Sequence, residues 1–493
     1  MFKLGDPYSS ARRPVVDGMR GAISAAHPLA VSAGARAFDL GGTAADAMIA
    51  AQAVLTVVAP DACGLGGDML ALVHAPGGEV TAINGTGAAP LAYAGEALEG
   101  ANAITVPGIV DAWTQAHARF GRLPLADLFA PAIRLAEEGF RVGTNLAAAL
   151  VAQRPRLIAG GAESWPLFDR KTGDLVRLPV LAALLRRIAA EGRGAFYQGA
   201  VPLAVEQAVV ALGGRLGQAD FAAHDTVVRA PNGCNWAGLR LHTQPPATQG
   251  ILLNMSLAAL ERAAPAVGIA ADHAGIELTE AAFAYRARAG EGESLLAEVL
   301  DFDPDRALHR GGPRAYLHTA GVACADAEGM VVSSLVSVFD DFGSAVYVPE
   351  GGFTLNDRAA GFGPAPNDPA PGKRPIHTLA PALLTGPDGA VWAMATPGAD
   401  GQVQTLLQVL QKARVEGIDL ATAVAAPRWR SENGAVLIET GHPQAEALKT
   451  LDHDIRVLPA GDTRFGAVVA AGLQGGIPHA LADWRRLTSA GAV

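Results

Sequence analysis

Apolar residues recur at helical spacing through the first part of the chain. Residues 28–40 predict a helix that ends at the glycine pair Gly41-Gly42. Thr43 predicts the start of a second helix, and Asp46, three residues on, completes the spacing of a capping box. The glycine-rich stretch 63–68 then predicts a tight turn before a strand at 69–74.

The pattern changes after about residue 315, following a mostly helical middle at about 105–300. Short apolar runs separated by turn residues there predict two β-hairpins, 321–325 with 331–338 and 379–385 with 390–396. A helix is predicted next, at about 402–415. The order of helices, strands and then helices predicts an α+β fold in which helices cover a mostly antiparallel sheet.

Composition narrows the class of protein. The chain has 493 residues, of which 50% are hydrophobic and 17% charged, which is too apolar for a disordered chain. The formal net charge of −10 argues against nucleic acid as a partner. No run of 18 apolar residues occurs, and the first residues lack the apolar core of a secretory signal. We therefore expect no membrane span and a cytoplasmic location, and from length alone two to four domains.

Common catalytic motifs are missing from the sequence. There is no phosphate-binding loop, His-Glu-x-x-His, Cys-x-x-Cys or Gly-x-Ser-x-Gly. The three cysteines are far apart, and the 12 histidines form no close ligand pair, so each histidine is interpreted as structural unless another observation places it in a site. No cofactor and no metal are expected.

A series of short motifs runs through nearly the whole chain, each weak alone but specific in number, order and spacing. They are Gly21-Ala22-Ile23, His27-Pro28-Leu29-Ala30, Gly41–Ala47, Cys63–Asp68, Pro245–Gly250, Thr319 seven residues before Asp326, Phe342-Gly343-Ser344, Leu355-Asn356, Gly372–Pro375, Pro397-Gly398-Ala399 and Ala426–Trp429. On these motifs the chain resembles the gamma-glutamyltransferase family of N-terminal-nucleophile hydrolases.

The resemblance implies a four-layer αββα sandwich and a chain that cuts itself between His318 and Thr319. The products would be a large fragment, 1–318, and a small fragment of 175 residues, 319–493, folded as one intertwined domain. A threonine hydroxyl is a poor nucleophile until a base takes its proton. Cleavage frees an α-amine on Thr319 that can be this base, directly or through a water.

Three further residues match catalytic positions of the family. Ser337 matches a hydroxyl residue that bonds and orients the threonine. Gly398 and Ala399 match a Gly-Gly pair whose backbone N–H groups form an oxyanion hole, with alanine departing from the family at the second position. Because the pair precedes a predicted helix, its amides are suited to developing negative charge.

The positions that hold a γ-glutamyl head group in the family are changed. Thr86 stands where the carboxylate-binding arginine is expected, and Phe339 replaces an asparagine. Arg358 and Gly361 replace a glutamine and an aspartate, and His377-Thr378 replaces a serine pair. A zwitterionic head group would therefore leave unpaired charges in the site. Arg358 and His377 are instead expected to meet a small anionic acyl group.

The resulting prediction is hydrolysis of a small linear non-glutamyl amide, with oxamate as a named example. The implied partner is this small molecule, and the two fragments form a heterodimer whose higher homo-oligomeric state stays open. Two alternatives remain. One is γ-glutamyl or other acyl transfer, or an acylase activity, within the same family. The other is a degenerate, non-catalytic, ligand-binding relative, which the unusual Ala320-Gly321 after the threonine keeps open.

Overall fold

Two antiparallel sheets lie face to face at the centre of the molecule. The computed structural model describes residues 12–312 and 319–493. Within these residues, sheet I has the order β21-β2-β10-β11-β3-β4-β7, and sheet II has the order β1-β20-β19-β15-β14-β9-β8.

The bounds of the elements follow in chain order. The strands are β1 Val16–Asp17, β2 Gly21–Ala25, β3 Asp68–His74, β4 Val80–Asn84, β5 Phe140–Arg141, β6 Leu175–Val176, β7 Val227–Arg229, β8 Asn232–Trp236, β9 Leu239–Thr243, β10 Ala320–Asp326, β11 Val331–Ser337, β12 Tyr347–Val348, β13 Phe353–Thr354, β14 Ala382–Thr385, β15 Val391–Ala395, β16 Trp429–Glu432, β17 Ala435–Glu439, β18 Ile455–Leu458, β19 Val469–Gln474, β20 Ile477–Ala482 and β21 Ser489–Ala492. The α-helices are α1 Pro28–Asp39, α2 Ala44–Val58, α3 Ile109–Phe120, α4 Leu125–Glu138, α5 Thr144–Ala152, α6 Arg154–Ala159, α7 Pro179–Glu191, α8 Gly194–Tyr197, α9 Ala200–Ala211, α10 Gln218–Ala223, α11 Gly250–Ala263, α12 Ile269–Phe283, α13 Gly401–Leu410, α14 Leu420–Ala425 and α15 Ala445–Lys449.

Side chains alternate across the central strands and so build three apolar layers. In β11, Val331 and Leu335 point between the sheets, where Ser333 Oγ donates to the Met394 carbonyl of β15. Val332 and Val336 point the other way, into the core under α1 to α4. A third core lies between sheet II and α11 to α13. The layers are therefore helix, sheet, sheet and helix, which confirms the expected αββα sandwich.

Several local predictions are confirmed. The helix predicted at 28–40 is α1, and Thr43 caps α2 through a reciprocal hydrogen-bond pair with Asp46. Both predicted hairpins are present, as β10–β11 and β14–β15. The strand predicted after the glycine-rich turn is β3.

The predicted layout is wrong in the last third of the chain. The helix expected at about 402–415 is α13, which ends at Leu410 and continues as a π-helical turn to Val415. Six strands, β16 to β21, then follow where helices were expected, with only the short helices α14 and α15 among the described residues. The reason is pairing with distant strands: β19 and β20 complete sheet II, and β21 extends sheet I beside β2.

None of the helices within 12–312 and 319–493 is both long enough and apolar enough to span a membrane.

Candidate active site

Thr319 immediately precedes β10, in the middle of sheet I. The hairpin register pairs Ala320 with Val336, which brings Thr319 opposite Ser337. Thr319 Oγ1 lies 3.4 Å from Ser337 Oγ, a long hydrogen bond between two buried hydroxyl groups. Ser337 Oγ also accepts the Phe339 N–H at 2.9 Å, so its orientation is set by the backbone as well. His318, the other half of the predicted cleavage site, lies outside the described residues.

The glycine-rich turn packs directly against this hydroxyl pair. Ser337 is paired with Asp68, the first residue of β3. A Cβ atom on Gly67 would collide with the Ser337 carbonyl oxygen, and one on Gly66 with the Thr354 carbonyl oxygen. Glycine is therefore required at both positions for the backbone to approach so closely, and this approach carries Asp68 into the site.

Asp68 is the centre of a group of buried side chains that we call the Asp68 cluster: Asp68, Phe339, Arg358, His377 and Thr378. Asp68 Oδ2 accepts Arg358 Nε–H at 3.2 Å and lies 3.2 Å from His377 Nε2. Arg358 Nη1 is 3.4 Å from Thr378 Oγ1, and its guanidinium lies 4.5 Å from the centre of the Phe339 ring. A stacked, ion-paired arginine of this kind is held in one orientation.

The cluster carries no net charge. Burial lowers the pKa of His377 to about 4, and the Arg358 charge lowers it further against the effect of Asp68. His377 is thus neutral at pH 7, and because its Nδ1 accepts the Leu379 N–H, its Nε2–H donates to Asp68. Burial raises the pKa of Asp68, but the His377 hydrogen bond and the Arg358 charge outweigh burial, so the net shift is downward. One carboxylate therefore balances one guanidinium.

Gly398 and Ala399 form a strained turn before α13. Their φ angles are 121° and 47°, and the second value costs an L-residue about 1–2 kcal/mol. Gln249 Nε2 holds the turn by donating to the Ala399 carbonyl at 2.9 Å and to the Thr378 carbonyl at 2.6 Å. Among the described residues, neither the Gly398 nor the Ala399 N–H donates a hydrogen bond, although both residues are buried. Two such amides beside a helix start are suited to an anion.

A cavity of about 320 Å³ opens at Thr319, and we call it the Thr319 cavity. Pro397, which precedes the strained turn, lines the same cavity. Its walls are mostly alanine, valine and leucine from the ends of α2 and α5, with Asp61, Asp341 and Arg486 as its charged residues. Burial and the nearby Arg430 lower the pKa of Arg486 to about 10, against the opposing effect of Asp341 and Asp61.

A second cavity, of about 590 Å³, lies beside the segments that contain Phe339 and Arg358. It is lined by Asp340 and Asp357, with Arg156 at 3.7 Å from the Asp357 carboxylate. Burial, with a contribution from the Asp340 charge, raises the pKa of Asp357 to about 8. Asp357 is therefore largely protonated at neutral pH.

The predicted binding residues occupy one region but do not face the Thr319 cavity. Arg358, His377, Thr378 and Phe339 meet in the Asp68 cluster, and none of them is among the described residues that line the cavity. Thr86 is held by Asn84, whose Oδ1 accepts both its N–H and its hydroxyl, at 2.9 and 2.5 Å. Its neighbour Gly87 donates to Asp68 at 3.3 Å.

Two residues of the site were not predicted from the sequence, Asp68 and Gln249. Both lie in motifs that were recognised, one directly after Gly66-Gly67 and the other before Gly250. The signals available in the sequence were an acidic residue directly after a glycine turn and a glutamine directly before a helix. Their partners are more than 120 residues away in the sequence, which the motifs do not reveal.

Comparison with known proteins finds relatives over most of the chain. A family model described as Gamma-glutamyltranspeptidase matches residues 30–301 and 306–493. The oxamate amidohydrolase proenzyme of Klebsiella pneumoniae is 31% identical over 484 residues, covering 89% of this chain and 92% of that protein. The Acylase ACY 1 proenzyme of a Pseudomonas species is 31% identical over 496 residues, covering 89% and 87%. The crystal structure of cephalosporin acylase from Bacillus halodurans has a TM-score of 0.88 at 28% identity, covering 100% of this chain and 99% of that one.

Proposed function

This chain belongs to the gamma-glutamyltranspeptidase family of enzymes, and from that premise we propose that it is a self-processing amidohydrolase with Thr319 as its nucleophile. The observation that carries the proposal is the surroundings of Thr319, which lines a cavity together with Pro397. Thr319 Oγ1 lies 3.4 Å from Ser337 Oγ, the Asp68 cluster lies directly behind Ser337, and two backbone amides without acceptors follow Pro397.

The proposed reaction begins with cleavage of the bond between His318 and Thr319, which frees the α-amine of Thr319. That amine takes the hydroxyl proton while Oγ1 attacks the carbonyl carbon of the substrate amide. The Gly398 and Ala399 amides stabilise the oxyanion; loss of one such donor costs about 2.7–4 kcal/mol. The leaving amine takes up the proton, and water then hydrolyses the ester on Thr319 to release the acid.

The substrate class that we propose is a small linear non-glutamyl amide, with oxamate as one example. The oxamate amidohydrolase proenzyme among the relatives supports this choice. Arg358 is compensated by Asp68, and Thr86 is bound to Asn84, so neither supplies a free charge for a zwitterionic γ-glutamyl head group. Such a head group would therefore gain no ion pair from either of these two positions.

A second candidate is an acylase that cleaves a larger amide, as the names of two relatives suggest for those proteins. The Thr319 cavity favours it, since about 320 Å³ lies within the range of roughly 300–1,000 Å³ typical of sites for drug-sized ligands. Oxamate would fill only a small part of that space. The alanine and leucine walls suit an apolar group on one side of the scissile amide.

Processing is tested with the purified protein on a denaturing gel, with Thr319→Ser and Thr319→Ala as paired variants. We expect the parent chain to give fragments of 318 and 175 residues, the smaller beginning at Thr319 on N-terminal sequencing. Thr319→Ser retains a hydroxyl and should still cleave, whereas Thr319→Ala should stay as one inactive chain. A parent protein that remains uncut, or a Thr319→Ala chain that still cuts at this bond, contradicts the proposal.

The substrate class is tested by ammonia or amine release from oxamate, from small linear amides, from amides with apolar amines and from a γ-glutamyl anilide. Turnover of oxamate or other small amides supports the first candidate. Preference for the apolar amides supports the acylase. Turnover of the γ-glutamyl anilide at a comparable kcat/KM would show that the substituted binding positions do not exclude a glutamyl head group.

A further inference from the structure

A group of metal-binding side chains lies away from the Thr319 site, beneath α12. His273 and Glu277 are four residues apart on that helix and so share one face. His453, which follows α15, meets them there. One ligand atom from each of the three residues lies within 4.8 Å of the other two, and all three side chains are buried.

The hydrogen bonds of His273 turn a lone pair toward this centre. Its Nε2 lies 2.7 Å from the Asp303 carbonyl oxygen, an acceptor only, so Nε2 carries the hydrogen. Its Nδ1 is then bare, and it points at His453 Nε2, 2.7 Å away. Metal-bound histidines are held in the same way, with the second ring nitrogen donating to a carbonyl or carboxylate.

Glu277 supplies a carboxylate whose contacts are all long. Its Oε2 accepts from Arg310 Nη1 at 3.2 Å, and the Leu308 N–H lies 3.3 Å from Oε1. The Glu277 carboxylate thus has one cation beside it, Arg310, and lies within reach of the two histidine rings.

We propose that His273 Nδ1, His453 Nε2 and one carboxylate oxygen of Glu277 bind one divalent first-row transition metal of the zinc type, with water in the fourth position. Two imidazoles and a carboxylate are a ligand set that Zn²⁺ accepts and Mg²⁺ does not favour. Zn–N bonds of about 2.0–2.1 Å at tetrahedral angles separate two nitrogens by about 3.4 Å. The His453 ring therefore moves by roughly 0.7 Å from its present 2.7 Å separation.

Metal binding replaces the hydrogen bond between His273 and His453 with metal–nitrogen bonds, and no proton is released. The hydrogen now shared between the two rings is carried by His453 Nε2, since His273 Nδ1 is bare. On binding it moves to His453 Nδ1, and the two lone pairs turn to the metal. The site joins α12, which precedes Thr319 in the sequence, to a segment more than 100 residues beyond Thr319. The family model leaves residues 302–305 unmatched, and one of them is Asp303, whose carbonyl oxygen accepts the hydrogen bond from His273.

The test uses the full chain, stripped with EDTA and desalted, with Zn²⁺ as the probe and Mg²⁺ as the contrasting ion. We expect one Zn²⁺ per chain by calorimetry and elemental analysis, a rise in the thermal midpoint with Zn²⁺ but not with Mg²⁺, and a visible d–d band with Co²⁺. A stripped parent protein that takes up no Zn²⁺ and gives no Co²⁺ band overturns the proposal, and the histidine pair is then a hydrogen bond alone.

Three variants locate the ion. His453→Gln should weaken Zn²⁺ binding at least 100-fold. The control is His479→Gln, since His479 lies on β20 and is paired with Asp17; this variant should bind Zn²⁺ as the parent does. Arg310→Gln removes the cation beside Glu277 and should tighten binding several-fold, which loss of packing alone would not produce. Equal Zn²⁺ binding by His453→Gln and the parent would assign the ion to another place and overturn the proposal.

Discussion

The pair of Asp68 and Arg358 allows a quantitative test of the buried cluster behind Ser337. Both side chains are 0% exposed, and Arg358 Nε lies 3.2 Å from Asp68 Oδ2. Asp68→Asn keeps the volume and the oxygen that accepts from Gly87, but turns an NH₂ group toward the Arg358 and His377 donors. Removing one partner of a buried ion pair typically costs about 3–5 kcal/mol, because the other charge stays buried. Arg358→Met should cost a similar amount for the same reason.

The double variant Asp68→Asn/Arg358→Met removes both charges and replaces the guanidinium with an apolar chain against Phe339. Its free energy of unfolding should be at least about 3 kcal/mol higher than the value expected if the losses of the two single variants simply added. The reason is that replacing a whole buried pair is often close to neutral. Guanidinium unfolding followed by tryptophan fluorescence measures this. The measurement is made in the Thr319→Ala background, which is expected to stay one polypeptide, so that unfolding should not depend on protein concentration.

The exposed pair Arg122–Glu328 is the matched control. Its shortest N···O distance is 2.7 Å, but the side chains are 49% and 63% exposed. Glu328→Gln should cost only about 0.2–1 kcal/mol. Additive costs for the two single variants, or a cost below about 1 kcal/mol for Asp68→Asn, would refute the view that Asp68 compensates a buried charge.

Two more predictions concern single hydroxyl and carboxyl groups. Ser337→Ala should lower kcat about 2–13-fold with KM unchanged, the equivalent of one hydrogen bond of about 0.5–1.5 kcal/mol. The control is Ser333→Ala, on the same face of β11, which should keep the kcat of the parent. An equal fall of kcat in both variants would contradict the role of Ser337. The pKa of Asp357 is raised to about 8, well above the value of about 3.9 for an unfolded chain. The folded state therefore holds the proton more tightly, and the free energy of unfolding falls as pH rises from about 4 to 8. Asp357→Asn cannot ionise, so its thermal midpoint relative to the parent should be several degrees higher at pH 9 than at pH 5, and a difference that does not change with pH would contradict the shift.

The sequence alone predicted those elements of the fold whose defining contacts join residues close together in the chain. The Thr43 and Asp46 capping box lies within four residues, and each predicted hairpin closes through a short turn. Strands β16 to β21 were missed because their sequences are short and their burial is mixed, as in the half-exposed β21. What makes them strands is pairing with segments far away in the chain.

The candidate site divides in the same way. Thr319, Ser337 and the Gly398-Ala399 turn are motif positions, and the fold brings the first two into contact. The roles of all of them remain predictions. Asp68, by contrast, meets Arg358 and His377 at separations of 290 and 309 residues, and His273 meets His453 at a separation of 180. Such pairs depend on how the sheets assemble, which neither periodicity nor spacing encodes.

The strand order of sheet I has a consequence for biosynthesis. β10 and β11 lie between β2 and β3, although β3 ends at residue 74 and β11 only at residue 337. At about 5–20 residues per second, a ribosome needs roughly 13–50 s to make the intervening 263 residues. During that time the nascent chain carries two open strand edges that have no native partner yet, and open edges are sites of aggregation. Slower translation, or a stall before residue 337, prolongs that exposure.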